Sequence, residues 1–396
     1  MNRVNTDRRT DPELRERSEF HNPTDGTECA ATVRHLYLHI PFCARICPYC
    51  AFYKVRPDAA QADRFCDALL REISGVSVNF PLALETIFFG GGTPTALRTA
   101  QLERILRGMR ERLDLASLHE WTVEANPGSV SAKKAAGLRE LGVTRISLGV
   151  QSWDDGLLRL LGREHNSAQA EHSFRLLRAT GFPSVSLDLM FGLPGQTLAQ
   201  WEATLAKTIA LEPDHISAYC LTYEEDTEFF LRHARGEFRA DVQVDAAFFE
   251  TAMRLLEAAG YAHYETSNYA RPGHESAHNR AYWAGRDYVG IGPSAFSTVG
   301  FRRWQNVPDY RAYADGILAG GSVISSEEAL SPAMKRAEQI ALLLRTRDGV
   351  PADWLTEWPD ERTEFCELGL LAAKADRYVL TARGKLLADT IAAAFV

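Results

Sequence analysis

Three cysteines within eight residues, Cys43, Cys47 and Cys50, form the densest group of reactive side chains in the sequence. Their CxxxCxxC spacing suits a metal centre, because thiolates select zinc, copper(I) or iron–sulfur clusters. A [4Fe–4S] cluster usually takes four cysteines. Three leave one iron open, and by analogy with catalytic zinc an open position implies chemistry and not a structural staple. Two duller readings stay open on spacing alone. The cysteines could be buried apolar residues. They could also hold structural zinc with His39 as fourth ligand, although no second CxxC pair is present.

The elements that must position these thiolates can be read around them. The apolar run 35–40 predicts a short buried strand, and Pro41 ends it, so the cysteines fall on the following loop. A loop can wrap three thiolates around one centre, whereas a strand would send alternate side chains to opposite faces. Further strands are predicted at 85–89, 120–127, 145–152, 184–191 and 215–221, with helices at 59–76, 100–112, 132–141, 167–180 and 198–211 between them. Strict alternation with buried apolar strands argues a parallel sheet with right-handed crossovers. Six units fall short of the eight that close a barrel. The expectation is therefore an α/β fold, a partial (β/α)6 barrel of TIM type.

Polar and glycine motifs recur near the C-terminal ends of these strands, where sites gather in both barrels and open α/β sheets. Gly90-Gly91-Gly92-Thr93-Pro94 follows the second strand and lets backbone approach a ligand closely, offering N–H groups, unless it is only a turn. Glu124 ends the third strand, where a lone glutamate is ordinarily just an exposed acid. Gln151 ends the fourth, and Arg163 follows in Leu161-Gly162-Arg163-Glu164. Asp188 lies inside an apolar strand, which is costly without a partner.

Composition bounds the rest. At 396 residues, 45% of them hydrophobic, the chain can build a large core, and two domains are expected. The net charge of −8 is made of interspersed acids and bases without a basic patch, so nucleic acid is not an expected partner. Seven cysteines, four of them scattered, argue against a disulfide framework and for a reducing cytoplasm. No apolar run is long enough to span a membrane. Residues 1–32 read as a disordered polar leader, 33–230 as the partial barrel, 231–329 as an extension covering the site, and 330–396 as a C-terminal helical domain.

Tyr37-x-His39-Ile40-Pro41-Phe42-Cys43-x3-Cys47-x2-Cys50 resembles the cluster motif of the radical S-adenosylmethionine (radical SAM) superfamily. More narrowly, it resembles the branch that holds oxygen-independent coproporphyrinogen III oxidase and a related haem chaperone. The resemblance covers about 36–396. It implies that Cys43, Cys47 and Cys50 bind a [4Fe–4S] cluster whose open iron takes the amino and carboxylate groups of S-adenosylmethionine (SAM), which reduction then cleaves to a 5′-deoxyadenosyl radical. It also implies that Gly91, Gly92 and Thr93 meet the SAM amino group, with Glu124 at the SAM site. Gln151 and Arg163 would lie on the ribose and carboxylate, Asp188 at the same site, Tyr37 beside SAM and Tyr49 over the adenine. The C-terminal helices would be winged-helix-like.

Two features separate the relatives. The oxidase pattern carries another cysteine two residues after the third ligand, where this chain has Phe52. His278-Asn279-Arg280-Ala281-Tyr282 matches an HNxxY motif tied to haem binding, with His274 close by; otherwise His278 is a loop histidine holding a turn. A neutral imidazole is the common haem-iron ligand. The expectation is a haem chaperone that delivers haem to respiratory haem proteins, as a homodimer and with peripheral membrane contact. Radical oxidative decarboxylation of coproporphyrinogen III is the enzyme alternative, and a radical SAM methyltransferase or haem-degrading relative is a further one.

Overall fold

The computed structural model describes residues 32–56, 58–238 and 241–395. The leader expected over 1–32 lies, apart from residue 32, outside them.

Six β-α units come first: β1 (Val33–Ile40), α1 (Ala59–Asn79), β2 (Leu82–Gly91), α2 (Thr99–Arg112), β3 (Glu120–Ala125), α3 (Ala132–Glu140), β4 (Arg145–Gln151), α4 (Asp155–Leu160), α5 (Ser167–Thr180), β5 (Ser184–Phe191), α6 (Leu198–Ala210) and β6 (His215–Cys220). Strands β1 to β6 pair in sequence order, all parallel. Local chemistry sets the helix starts. Asp58 caps α1, and Asn166/Gln169 and Thr197/Gln200 form reciprocal capping boxes on α5 and α6. The core lies between the strands and these helices, with Phe65, Trp121, Phe174 and Trp201 among its buried side chains.

After α7 (Glu228–Ala234) and α8 (Val242–Ala258), the chain adds to both edges of the sheet. Strands β7 (Ala262–Glu265) and β8 (Asn268–Ala270) extend it antiparallel from β6. Helix α9 (Ala277–Trp283) leads to the far side, where β9 (Tyr288–Ile291) pairs parallel with β1. There β10 (Phe296–Val299), β11 (Arg302–Asn306), α10 (Tyr310–Ala319) and β12 (Ile324–Ala329) follow. The result is an open sheet of 12 strands, not a closed barrel. The extension expected over 231–329 thus holds regular, short strands that no strand prediction covered. Their glycines and turns hid a period too brief to read.

The remainder comprises α11 (Pro332–Leu344), β13 (Val350–Pro351), α12 (Pro359–Glu367), β14 (Leu371–Lys374), β15 (Arg377–Leu380), α13 (Ala382–Lys385) and α14 (Ala388–Ala393). It packs around its own apolar cluster, including Ile340, Val350, Leu355 and Phe395. The C-terminal stretch 382–393 forms two short helices, α13 and α14, and not one. Gly384 sits so close to Leu370 that a Cβ there would lie 1.9 Å from the Leu370 carbonyl oxygen.

Glu72 in α1 ties the added strands to the barrel. Its carboxyl accepts from Gly292 N–H (2.8 Å), Asn306 Nδ2 (2.8 Å) and Tyr313 OH (2.6 Å). Burial pushes it up to about 7 against the pull of those donors. A raised carboxyl contributes stability that is present below its unfolded value and lost as pH rises through about 7. From pH 5 to pH 8 the wild type should therefore lose ~2–3 kcal/mol more than Glu72→Gln, whatever constant cost the amide carries. Urea melts of both proteins across that range check it; parallel pH profiles would contradict it.

Candidate functional site

Beyond β1 the chain turns at Phe42 into the cysteine loop. The loop is fixed at its base by Cys43 N–H to Val55 O (2.9 Å) and Val55 N–H to Pro41 O (2.7 Å). Helix α7 holds its far end: Phe229 N–H donates to Pro48 O (3.1 Å), and Tyr49 packs 6.1 Å from the Phe229 ring. The three cysteines are free, and all of them line one cavity of about 660 Å³. Burial raises the Cys43 and Cys50 thiols, opposed by the Thr93 hydroxyl at Cys43 and by Lys54 at Cys50.

Tyr49, Gly91, Gly92, Thr93, Glu124, Gln151, Arg163 and Asp188 line the same cavity, and with Ser217 and Tyr219 of β6 all six parallel strands or the loops after them converge there. A polar ring joins them to the thiols. Thr93 Oγ1 lies 3.5 Å from Cys43 Sγ and accepts from Asn126 Nδ2 (2.8 Å). Asn126 Oδ1 accepts from Arg163 Nη2 (2.5 Å), and Arg163 Nη1 reaches Cys47 Sγ at 3.5 Å. Arg163 Nε is buried without a hydrogen-bond partner among the described residues. Asn126 follows the last residue of β3, and only the fold reveals it as the link between Thr93 and Arg163.

The glycine loop works differently from the simple expectation of free N–H groups. Gly92 N–H donates to Ile40 O (2.8 Å) and Thr93 N–H to Phe42 O (2.7 Å). Gly91 has a φ of +99°, and a Cβ there would lie 2.4 Å from the His39 ring. These residues are glycines because the loop must press against the end of β1. What they leave for a ligand is oxygen, which suits an amino group.

Gln151 reaches the cavity through a sheet irregularity. The β4–β5 register shifts between Gly149 and Gln151, and Gln151 takes a φ of +68°, rare for a residue with a Cβ. Asp188 has the partners its burial demands. Ser147 Oγ donates within 2.9 Å of both carboxyl oxygens, and Ser186 Oγ lies at 3.2 Å. Burial still holds its carboxyl above the usual range. Burial, and then the nearby Asp188, push Glu124 up to about 8.

Two predicted residues lie apart from the lining. Tyr37 OH bonds His39 Nδ1 (3.1 Å), and its ring stacks 6.2 Å from Phe88, which does line the cavity. His278 is 9% exposed in α9, with Nδ1 on Thr86 Oγ1 (2.8 Å) and its ring 5.1 Å from Phe88. Burial, then His35, push it down to about 3, so it is a neutral imidazole. Its backbone N–H donates to Glu120 Oε1 (3.0 Å), which anchors the start of α9. Its neighbours Ser276 and Asn279 face the cavity.

The donor set fits a cluster better than a zinc ion. His39 has both ring nitrogens engaged, Nδ1 on Tyr37 OH and Nε2 on Tyr53 O (3.0 Å). No three His, Cys, Asp or Glu side chains converge on one ion position among the described residues. A cubane needs no such point, because each thiolate binds a different iron. Beside the thiols stand a guanidinium with an unused donor and a cavity within the usual range for a cofactor-sized ligand.

Comparison with known proteins agrees. The model of the Radical SAM superfamily matches residues 37–207. The heme chaperone HemW of Bacillus subtilis is 36% identical over 376 residues, covering 92% of this chain and 99% of that protein. HemW of Escherichia coli is 40% identical over 269 residues, 67% of this chain and 70% of that protein. Among solved structures, coproporphyrinogen III oxidase (HemN) from Escherichia coli superposes with a TM-score of 0.79 at 24% identity, covering 92% of this chain and 90% of that one.

Proposed function

This chain belongs to the radical SAM superfamily and to the branch of it that holds HemW, and from that premise we propose that it is a haem chaperone. On this reading Cys43, Cys47 and Cys50 hold a [4Fe–4S] cluster, and the rim around them holds SAM. The protein binds haem and hands it to respiratory haem proteins. It works in the cytoplasm as a homodimer that touches the membrane only peripherally; among the described residues no helix is long and apolar enough to cross one. The reduced cluster, when bound, supplies the electron that cleaves SAM.

This chain's own residues prepare that site. Arg163 sets a cation beside Cys47, where it would offset the negative charge of a thiolate-held cluster, and Asn126 fixes its orientation. The oxygens of the glycine loop and of Thr93 would receive the SAM amino group. Arg163 would take the carboxylate, and Glu124, Gln151 and Asp188 the ribose side. Tyr49, held by Phe229, would cover the adenine. Tyr37 would support the SAM site from behind Phe88.

The observation that carries the chaperone reading over the oxidase is Phe52. It occupies the position of the oxidase's additional cysteine, 68% exposed and lining the cavity mouth. The likeness to HemN is one of fold. We assign His278 a positioning part in haem binding, because its ring braces α9 beneath Ser276 and Asn279. Haem titration of reconstituted wild type and His278→Ala should show affinity reduced about 5- to 10-fold, the cost of a buried hydrogen bond. The Soret position should stay unchanged. A shifted Soret band would make His278 an axial ligand instead.

A further inference from the structure

Most of the inner positions of a closed barrel carry bulky branched residues that fill it. Here the inward positions of β4 read Arg145, Ser147, Gly149, Gln151, and those of β6 read His215, Ser217, Tyr219. Small hydroxyls leave a lumen, and its lining runs from the cysteine rim down to Arg145 at the first residue of β4. Arg145 is 3% exposed. Its hydrogen bonds go to neutral acceptors, Ser184 Oγ (3.1 Å) and His274 O (3.0 Å), and it forms no ion pair among the described residues. Buried charges in proteins are normally paired, because an unpaired one carries a large desolvation cost.

The groups around it do not remove that imbalance. Asp188 faces the same lumen and feels the Arg145 charge, but its hydrogen bonds come from Ser147 and Ser186 and none comes from the guanidinium. Glu120 is turned to the start of α9, accepting from Ser276 Oγ and from the Ala277 and His278 N–H groups. His215 is fixed by Ser186 Oγ and Tyr264 OH, both at 2.8 Å, and its burial, then the Arg145 charge, keep it neutral. The floor of the lumen is therefore a guanidinium with no carboxylate bonded to it among the described residues, set among hydroxyls and a neutral imidazole. A planar fork of donors of this kind matches a carboxylate.

We propose that the lumen seats a carboxylate arm of the bound ligand and that Arg145 receives it. This deepens the haem reading above and rests on it: the arm is then a haem propionate. The test is a titration of the cluster-reconstituted protein with haem and with haem dimethyl ester, whose propionates carry no charge. Wild type should prefer haem by about 10- to 100-fold, the range of a charged hydrogen-bonded pair. Arg145→Gln should abolish the preference, and Arg145→Lys should keep part of it. Equal binding of haem and its ester by the wild type overturns the anion seat and leaves the haem reading standing, a result that needs no variant to fold. A full preference retained by Arg145→Gln does the same. Binding of neither compound by the wild type overturns both.

Discussion

Cys43→Ala should emerge from anaerobic reconstitution without the cluster's absorbance band and without bound SAM. Loss of a direct ligand ought to exceed the ~10- to 100-fold that loss of an outer partner costs a metal site. The fold itself should survive. Cys43 sits half-exposed on a loop whose base is held by backbone bonds to Val55 and by the buried Phe42 ring, 5.1 Å from Phe65. Iron and sulfide content, read beside the far-ultraviolet circular dichroism, separates loss of the cluster from loss of the fold. Normal iron and sulfide in the variant would sink the ligand assignment.

Gly91→Ala should be nearly as damaging by another route. The added methyl would stand 2.4 to 2.7 Å from three atoms of the His39 ring. That ring cannot swing away cheaply, since both nitrogens are bonded and it faces Tyr37 and Tyr53. Its φ of +99° adds backbone strain. Together these should cost ~3 kcal/mol or more, with SAM binding lost as the loop lifts off β1. Gly195→Ala is the control. It shares a positive φ, +75°, but meets nothing within 4 Å, so it should lose only ~1 kcal/mol. Chemical denaturation of the two variants gives the comparison, and equal losses would show that the His39 contact is unimportant.

The parallel half of the fold was legible because its strands carry apolar runs and most of its helices start on a capping residue such as Asp58 or Thr197. The rim of the site was legible for the same reason, since motifs at strand ends must share one edge. The strands added after α8 were not. Runs as short as Asn268–Ala270 carry too few residues for a period, and their pairing with β6 and β1 is a tertiary choice. Helix α7, which secures Tyr49, was also missed, because its seven residues sit among charges. The lumen left a fainter trace. Arg145, Ser147, Gly149 and Gln151 alternate with the apolar Ile146, Leu148 and Val150, the period-two sign of a strand with one polar face. Read as an apolar run with interruptions, that face went unnoticed. His278 could not be placed at all from sequence, because its burial depends on Thr86 and Phe88 from a strand nearly two hundred positions away.

Under the proposed function this architecture carries haem and does not decarboxylate a porphyrinogen. The measurement that meets it most directly uses one preparation, the anaerobically reconstituted protein with SAM and a reductant. One aliquot is titrated with haem, and another is incubated with coproporphyrinogen III. The expected result is a saturable haem complex and no protoporphyrinogen IX. Steady formation of protoporphyrinogen IX, with no stable haem complex, would contradict it and return the protein to the oxidases.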